Sequence, residues 1–364
     1  MLSLNGYFIT ATKLGGNNKM YSFNNDYSEG AHPRILQALL TANLVQHDGY
    51  SMDSQNTAHA KELIKKEIGR SDADIHWIVG GTQANLITIA AALRPYQAVV
   101  CAHTGHINVH ETGAVEATGH KVIAMPSADG KLTPAMVQEA LSMHTDEHMV
   151  QPKMVYISNT TEIGTQYTKA ELEALHHFCR QKGLFFFLDG ARLGAALASP
   201  ANDLTMADIA ALTDVFYIGG TKNGALFGEA LIILNPDLKQ DFRYMIKQRG
   251  AMLAKGWLLG IQFEELFQNN LFYDMAAHAN EMALILREGI MECGYPFYSD
   301  SVSNQQFPIF PDKIIARLRQ DFQFQDQARI DREHTAVRLV TSWATTEAAV
   351  KAFVAVLTAV TKEG

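Results

Sequence analysis

The sequence predicts an α/β protein: a large domain around a mostly parallel central sheet, followed by a smaller α+β domain. From about residue 59 onward, short apolar runs alternate with helical stretches, until a long helical stretch leads away at about residue 236. Apolar strands separated by helices indicate a parallel sheet covered on both faces. A chain of 364 residues is long enough for about two domains. We place the large domain at residues 20–264, whose first residues could pack on the small domain, and the small domain at residues 265–364.

Seven runs are the predicted strands of the central sheet. Each is short and mostly apolar, as expected for a strand whose two faces are both buried. They are Asp74–Val79, Ala98–Ala102, Lys121–Met125, Met154–Ser158, Leu184–Leu188, Val215–Ile218 and Glu229–Leu234.

The helices between these strands are indicated by apolar residues at helical spacing and by stop signals. Ala58–Ile68 ends at Gly69, and Gln83–Leu93 is stopped by Pro95. Further helices are predicted at Thr133–Met143, at Lys169–Gln181 and in the long stretch of about Pro236–Arg287.

Composition and charge narrow the functional classes. The net charge of −8 and the lack of a basic block argue against nucleic-acid binding. No apolar run reaches the roughly eighteen residues of a membrane span, so we expect no membrane partner. The three cysteines, Cys101, Cys179 and Cys293, lie far apart and fit neither a metal site nor a disulfide framework. This usage favours a reducing cytoplasm.

The first nineteen residues lack the charged start and the long apolar stretch of a secretory signal. Met20 opens a segment that resembles a natural start. We interpret residues 1–19 as a tag or an upstream extension; the alternative is a native arm that packs on a neighbour.

Lys222 and Asp189 are the most informative pair of residues. Each follows a short apolar strand, Asp189 at the end of Phe185–Leu188 and Lys222 after the small-residue turn Gly219–Thr221. A lysine and an acid at the ends of two such strands are what pyridoxal phosphate (PLP) chemistry requires. The lysine forms the Schiff base, and the acid pairs with the pyridinium nitrogen. The alternative for Lys222 is an ordinary surface lysine.

The turn Gly80–Asn85 lies between a predicted strand and a predicted helix. Small residues there let backbone N–H groups approach an anion, and a helix N-terminus favours negative charge. Gly81 and Thr82 are therefore candidates for a phosphate cradle. The alternative is a tight turn in which Thr82 is the N-cap.

Two histidines and a polar segment follow neighbouring strands. Either His103 or His106 could stack on the cofactor ring and handle a proton, or be a hydrogen-bonded loop residue. The segment Ser158–Thr165 could bind the cofactor or the substrate, or be a capped turn.

Two arginines are candidates for binding anions. Arg192 lies three residues after Asp189 and could pair with that buried carboxylate. Arg338 stands inside the apolar run Val337–Thr341, and arginine binds carboxylates through two parallel hydrogen bonds. Arg338 is therefore a candidate anchor for a substrate α-carboxylate; the alternative is an edge-strand residue that points into solvent.

The ordered motifs Gly-Gly-Thr-Gln-Ala-Asn, Gly-His-Ile, Asn-Thr, Leu-Asp-Gly-Ala-Arg-Leu, Thr-Lys-Asn-Gly and Val-Arg-Leu-Val-Thr occur in this chain. Their order and spacing resemble the low-specificity threonine aldolases, which belong to the β-eliminating lyase group of fold type I PLP-dependent enzymes. The resemblance extends from about residue 22 to the C-terminus.

The resemblance implies a role for each matching residue. Lys222 matches the Schiff-base lysine, Asp189 the pyridinium partner and Arg192 a cofactor-side arginine. The remaining matches are Gly81 and Thr82 in the phosphate turn, His106 over the ring, and Arg338 and Asn25 for the substrate. Tyr50 lies in a segment that resembles one contributed by a neighbouring subunit, which implies a homodimer or homotetramer with shared sites.

This sequence departs from the family pattern at several positions. Asn25 stands where a serine is usual, and a second histidine that many members carry has no clear match. Apolar Ile123 takes its place, with His120 nearby. We therefore expect an aldolase for L-threonine or a related β-hydroxy-α-amino acid. The alternatives are a β-eliminating lyase, an aldolase for a bulkier substrate, and a PLP-binding module without turnover.

Overall fold

The computed structural model describes residues 20–51 and 55–363. The predicted extension at residues 1–19 lies outside the described residues. The N-terminal part contains one short strand, two α-helices and one 3-10 helix: β1 (Tyr21–Ser22), α1 (Pro33–Ala42), the 3-10 helix Gly49–Ser51 and α2 (Gln55–Ile68). Helix α1 was not predicted from the sequence. It starts at a proline, and the ring of His32 accepts a hydrogen bond from the Arg34 N–H at 3.3 Å.

The central sheet contains all seven predicted strands. They are β2 (Asp74–Ile78), β3 (Gln97–Ala102), β4 (Lys121–Met125), β5 (Gln151–Ser158), β6 (Phe185–Asp189), β7 (Val215–Gly219) and β8 (Glu229–Ile233). Their order across the sheet is β2-β8-β7-β6-β5-β3-β4. The pairs from β4 to β7 are parallel, whereas β8 runs antiparallel to both β7 and β2. Only residues 220–228 connect β7 to β8, which is too short for a helical crossover, so the chain turns back on itself.

Helices cover both faces of this sheet. They are α3 (Gly81–Ala92), α4 (His106–Val109), α5 (Pro134–Ser142), α6 (Lys169–Lys182), α7 (Leu193–Leu197), α8 (Met206–Leu212), α9 (Phe242–Gln248) and α10 (Trp257–Leu266), with 3-10 helices at Glu116–Thr118 and Pro236–Leu238. Along β3, Val99 packs into the apolar cluster on one face and Val100 into the cluster on the other. This alternation explains why the strands are apolar at successive positions.

The C-terminal part contains α11 (Leu271–Glu292), β9 (Gln305–Gln306), β10 (Ile309–Pro311), α12 (Asp312–Leu318), β11 (Phe322–Gln323), β12 (Gln325–Arg329), β13 (His334–Val340) and α13 (Glu347–Glu363). Strand β13 lies between β10 and β12 and also pairs with β9, always antiparallel. Strand β1 pairs in parallel with β11, and Phe23 is buried in the apolar cluster of this C-terminal part.

The single helical stretch predicted at Pro236–Arg287 is wrong. The structure divides it into the 3-10 helix, α9, α10 and the first part of α11. The breaks coincide with residues that adopt positive φ, namely Asp241, Gly250, Asn269 and Asn270.

Helix α11 connects the two main packing regions. Its first turns contribute Leu271 and Met275 to a sheet-facing cluster, and its later turns contribute Leu286 and Ile290 to the C-terminal cluster. The division between residues 264 and 265 remains a prediction, and it falls inside α10. Within the described part of the chain, every helix is too short or too polar to cross a membrane.

Candidate active site

The candidate site lies where the parallel strands of the sheet end. Lys222 follows β7, Asp189 is the last residue of β6, Glu162 follows β5, His106 begins α4 after β3, and Gly81 begins α3 after β2. The carboxyl ends of parallel strands share one edge of the sheet, which is where α/β proteins bind their ligands.

Asp189 is buried and accepts four hydrogen bonds. The Tyr156 hydroxyl donates to Oδ2 at 2.5 Å, and the Asn85 amide donates to the same oxygen at 3.1 Å. The Tyr217 hydroxyl donates to Oδ1 at 2.5 Å, and the Ala191 N–H donates to it at 3.0 Å. Because every donor faces the carboxylate, the ionised form of Asp189 is strongly favoured.

The electrostatics of Asp189 follow from these partners. Burial acts to raise the pKa of its carboxyl, but the neighbouring His106 and the two tyrosine hydroxyls outweigh burial, so the pKa lies below its ordinary value. The same carboxylate, together with burial, raises the pKa of both tyrosines well above the usual range, and they remain donors at any physiological pH.

Arg192 does not pair with Asp189, so the alternative considered from the sequence is wrong. Its Nε and Nη2 donate to the two oxygens of Asp26 at 2.7 and 3.0 Å, a bidentate arrangement. Asn304 donates a further hydrogen bond to Asp26 at 2.9 Å. Burial acts to raise the pKa of the Asp26 carboxyl, but the charge of Arg192 outweighs burial, and the pKa lies below its ordinary value.

Lys222 lies among these charged groups without a partner of its own. Within residues 20–51 and 55–363, its ammonium group forms neither a hydrogen bond nor an ion pair. Burial, and after it the charge of Arg192, lowers the pKa of Lys222, although Asp26, Glu162 and Asp189 act in the opposite direction. The interpretation as an ordinary surface lysine is therefore wrong, and a lysine with a lowered pKa is suited to act as a nucleophile.

His106, rather than His103, faces this site. Its Nδ1–H donates to Glu111 Oε1 at 2.7 Å, and Asn85 donates to the same oxygen at 2.7 Å. Burial acts to lower the pKa of His106, but Glu111 and the more distant carboxylates outweigh burial and raise it. The ring of His103 instead accepts a hydrogen bond from the Ser127 N–H at 3.1 Å, which fits the interpretation of His103 as a loop residue.

The turn before α3 leaves backbone donors free for an anion. The N-cap residue is Gly80, and no side chain caps the helix, so the interpretation of Thr82 as the N-cap is wrong. A Cβ at Gly81 would lie 2.9 Å from the Tyr217 hydroxyl. Gly81 is therefore needed for the approach of Tyr217, and the first N–H groups of the helix remain available.

Arg338 approaches the same region from β13. This strand has neighbours on both sides, and Arg338 is only partly exposed, so the edge-strand alternative is wrong. Its Nη2 donates to the Asn24 carbonyl at 3.4 Å and to Gln325, while its buried Nε has no partner among the described residues. Burial and the charge of Arg192 lower the pKa of Arg338, whereas Asp26 and Glu162 raise it.

Two predicted substrate residues are placed differently. The Asn25 side-chain oxygen accepts hydrogen bonds within its own turn, from Tyr27 N–H and from Ser28 Oγ–H, both at 3.0 Å. Tyr50 lies beside α9, with Lys247 positioned 4.5 Å from its ring centroid and its carbonyl bound by Arg243. The structure does not bring Tyr50 to Lys222 of the same chain.

Several residues of the site were missed by sequence reasoning. Tyr156 and Tyr217 stand in apolar strands, and the need of a buried hydroxyl for a partner is the signal that could have identified them. Glu111 follows His106 by five residues, but nothing in the sequence indicates that this acid turns back onto the histidine. Glu162 belongs to the segment Ser158–Thr165, which the sequence offered as a candidate only as a whole, and it influences the pKa values of His106, Lys222 and other site residues.

The site fits PLP. At the C-terminal end of β5, three consecutive residues each have a buried polar atom without a hydrogen-bond partner among the described residues: Ser158 Oγ, Asn159 Nδ2 and Thr160 Oγ1. An uncapped helix N-terminus suits the phosphate, the ionised Asp189 suits a protonated ring nitrogen, and the unpaired Lys222 suits the aldehyde. Across the described residues, no group of three or more His, Cys, Asp and Glu could hold a metal ion.

Comparison with known proteins gives the family. The family model of the β-eliminating lyases matches residues 28–311. The chain belongs to the β-eliminating lyase family. A low-specificity L-threonine aldolase from Pseudomonas aeruginosa is 34% identical over 272 residues, which cover 73% of this chain and 77% of the relative. This β-eliminating lyase is a PLP-dependent enzyme.

Solved structures agree with this assignment. A threonine aldolase from Leishmania major is 55% identical to this lyase, with a TM-score of 0.92 over 94% of this chain and 99% of the other. An aspartate aminotransferase from Thermus thermophilus has a TM-score of 0.70 at 16% identity, over 94% of this chain and 91% of the other, and shares the fold alone. The predicted fold type I architecture is therefore confirmed.

Proposed function

We propose that this β-eliminating lyase cleaves L-threonine or a related β-hydroxy-α-amino acid into glycine and an aldehyde. The observation that carries the proposal is the unpaired Lys222, which lies in one polar site with the ionised Asp189 and with two arginines, Arg192 and Arg338. The similarity to threonine aldolases from Pseudomonas aeruginosa and Leishmania major supports the same substrate class.

In this proposal, bound PLP supplies an electron sink for the electrons of the broken Cα–Cβ bond. Asp189 would pair with the ring nitrogen, and its four donors keep it ionised. The N–H groups at Gly81 and Thr82 bind the phosphate. Lys222 would hold the cofactor through its amine, and Arg192, already fixed by Asp26, would keep positive charge beside it.

The substrate is held by residues from another part of the chain. Arg338 binds the α-carboxylate with its free N–H donors. Asn25, whose side-chain oxygen is held within its own turn, lies next to the Asn24 carbonyl that Arg338 binds. His106 would contact the bound cofactor, and Glu111 holds its Nδ1 proton and fixes the orientation of the imidazole. Asn85 connects Glu111 to Asp189, so the orientation of His106 and the charge on Asp189 depend on one hydrogen-bond network.

The test measures the products. Wild-type protein supplied with PLP and L-threonine should yield glycine and acetaldehyde in equal amounts, and Lys222→Ala should abolish turnover. Lys66→Ala, at an exposed position of α2, is the matched control and should retain the full rate. Pyruvate and ammonia as main products would replace the aldolase with a β-eliminating lyase. Cleavage of larger β-hydroxy amino acids in preference to threonine would point to the bulkier substrate class.

We also propose that the enzyme is a homodimer or homotetramer with shared sites. Leu36, Leu40 and Leu44 are 41%, 63% and 93% exposed and recur at every fourth position along and just beyond α1. Exposure of this apolar stripe to water is unfavourable in free energy, which supports its burial against a second copy of the chain. Tyr50, 43% exposed, is the proposed contribution of one subunit to the site of the other.

A cytoplasmic location is the last part of the proposal. Cys101, Cys179 and Cys293 are all free thiols, and the first two are buried. Free cysteines without any disulfide support a reducing compartment. Fractionation of the native cells, with the activity assayed in each fraction, tests this assignment.

A further inference from the structure

A second histidine stands beside His106 at the outer side of the site. His110 is the C-cap residue of α4, and its N–H donates to the His106 carbonyl at 2.9 Å. Because the two residues are four apart, their side chains lie on the same face of this turn. Their ring centroids are 5.5 Å apart, with an angle of 54° between the ring planes.

The two imidazoles differ in their surroundings. His106 is 26% exposed, and its Nδ1 is engaged by Glu111. His110 is exposed, and neither of its ring nitrogens has a hydrogen-bond partner among the described residues. The ring nitrogens of His110 are therefore free to exchange a proton with solvent.

The charged groups close enough to act on His110 come from four parts of the fold. They are Glu162 from the loop after β5, His106 from α4, Arg338 from β13 and Lys222 from the turn after β7. Partial burial of the ring lowers the pKa of His110; Glu162 opposes this shift, while the three basic groups add to it. The lowered pKa favours the neutral imidazole, which is the form that accepts a proton.

Other nearby histidines do not offer this arrangement. His103 uses Nδ1 to accept the Ser127 N–H. His120 directs Nδ1 to the Gln97 carbonyl at 3.2 Å, and it precedes β4, so it lies at the opposite edge of the sheet from Lys222. Ile123 is buried in the middle of β4. The second imidazole of this site thus comes from α4.

We propose that His110 is the general base that removes the β-hydroxyl proton of the bound substrate. This inference rests on the proposed aldol cleavage. The neutral ring takes the proton, the hydroxyl oxygen becomes the carbonyl oxygen of the aldehyde, and the Cα–Cβ bond breaks. The electron pair remains with the glycine fragment, which takes up one proton at Cα. His110 then returns its proton to the solvent that it contacts.

The experiment compares two reactions of the PLP-loaded enzyme. Cleavage of L-threonine needs a base at the β-hydroxyl, whereas exchange of a glycine α-hydrogen with deuterated water does not. His110→Gln should lower kcat for cleavage by about 10²–10⁴-fold, the usual contribution of a general base, with KM and the glycine exchange rate nearly unchanged. The same variant should lose the acidic limb of the pH profile of kcat/KM.

Two further variants separate chemistry from structure. His110→Gly should recover cleavage when imidazole is added, because the exposed position is open to solvent, and a structural role would give no rescue. His103→Gln is the matched control and should retain both reactions. In the cofactor-free protein, NMR titration of the His110 ring should give a pKa below that of His106, and Glu162→Gln should lower it further.

The outcomes distinguish the inference from the function on which it rests. If the wild-type enzyme exchanges glycine but releases no aldehyde from any β-hydroxy amino acid, the proposed function fails. If the wild-type enzyme cleaves threonine and His110→Gln cleaves it equally well, only the role of His110 fails. Equal loss of both reactions in His110→Gln, without rescue by imidazole in His110→Gly, would also reject the role as base.

Discussion

The carboxylate of Glu229 accepts a hydrogen bond from the backbone N–H of Gly220 at 3.0 Å, two residues before Lys222. Glu229 is the first residue of β8 and lies opposite Gly219 in the antiparallel ladder. Its side chain is buried, and burial raises the pKa of the Glu229 carboxyl to about 8, although Thr221 and Lys222 oppose the shift. Glu229, which is buried beside the turn that carries Lys222, therefore changes its charge close to physiological pH.

The first prediction concerns the pH dependence of stability. Because the folded-state pKa of Glu229 is raised, its favourable contribution is complete below the unfolded value of about 4.5 and is lost as the pH rises through about 8. The melting temperature of Glu229→Gln minus that of wild type should therefore increase between pH 5 and pH 8.5. Thermal unfolding of the cofactor-free proteins measures this difference. A constant difference over that range would contradict the raised pKa.

The second prediction concerns the approach of Tyr217 to the phosphate turn. Gly81→Ala places a methyl group 2.9 Å from the tyrosine hydroxyl and should weaken PLP binding by about 1–3 kcal/mol, the usual cost of an overpacked contact. Tyr217→Phe removes that hydroxyl, so the double variant should lose less than the sum of the single variants. Equilibrium titration with PLP measures each term, and strict additivity would contradict the contact.

The third prediction concerns the buried pair of Asp26 and Arg192. Asp26→Ala leaves the guanidinium of Arg192 without its partner and should destabilise the protein by about 3–5 kcal/mol. Asp321, just beyond α12, forms an exposed pair with Arg317; Asp321→Ala serves as the control and should cause a much smaller loss. Denaturant unfolding gives both values, and equal losses would show that the pair of Asp26 is not buried as described.

The pH dependence of that third variant also has a definite sign. The folded-state pKa of Asp26 is lowered, so the wild-type contribution is present above about pH 3.8 and disappears as the pH falls. The stability difference between wild type and Asp26→Ala should consequently shrink in acid.

The fourth prediction tests shared sites. If Tyr50 of one subunit serves the site that contains Lys222 of another, Tyr50→Ala and Lys222→Ala are each inactive as pure proteins. Refolding equal amounts together creates hybrid dimers in which one site is complete, so about a quarter of the wild-type activity should return. An inactive mixture, in which mass measurement confirms the hybrids, would exclude a shared site.

Much of this fold was predictable because its signals are local. The strand ends and the turns at Gly81 and Lys222 are encoded by adjacent small and apolar residues, and all seven strands appeared where expected. The reversed direction of β8 was not specified, although the short connection at residues 220–228 was visible in the sequence. The ends of the helices at Asp241 and Asn270 were not predicted, because the spacing of hydrophobic residues does not indicate where the backbone adopts positive φ.

The site was only partly predictable, for a different reason. Lys222, Asp189 and Arg338 could be identified because each is a charged residue near an apolar run. The partners could not, since Tyr156 lies 33 residues and Asn85 lies 104 residues from Asp189 along the chain. Asp26 and Arg192, 166 residues apart, show the same difficulty. Such pairings depend on the order of strands in the sheet, which no local pattern contains.

The segment of residues 21–26 joins the two parts of the molecule at the site. Tyr21 and Ser22 pair with β11, Phe23 is buried against the C-terminal helix, and Asp26 is fixed to Arg192 beside the sheet. Arg338 in turn binds the Asn24 carbonyl of this segment. A rotation of the C-terminal part away from the sheet would have to break the buried ion pair of Asp26 and Arg192. The segment therefore restrains the position of the C-terminal part. Under the proposed function, a substrate carboxylate would meet an arginine that this segment already holds in place, and recognition would depend on the shape of a fixed opening rather than on closure around the substrate.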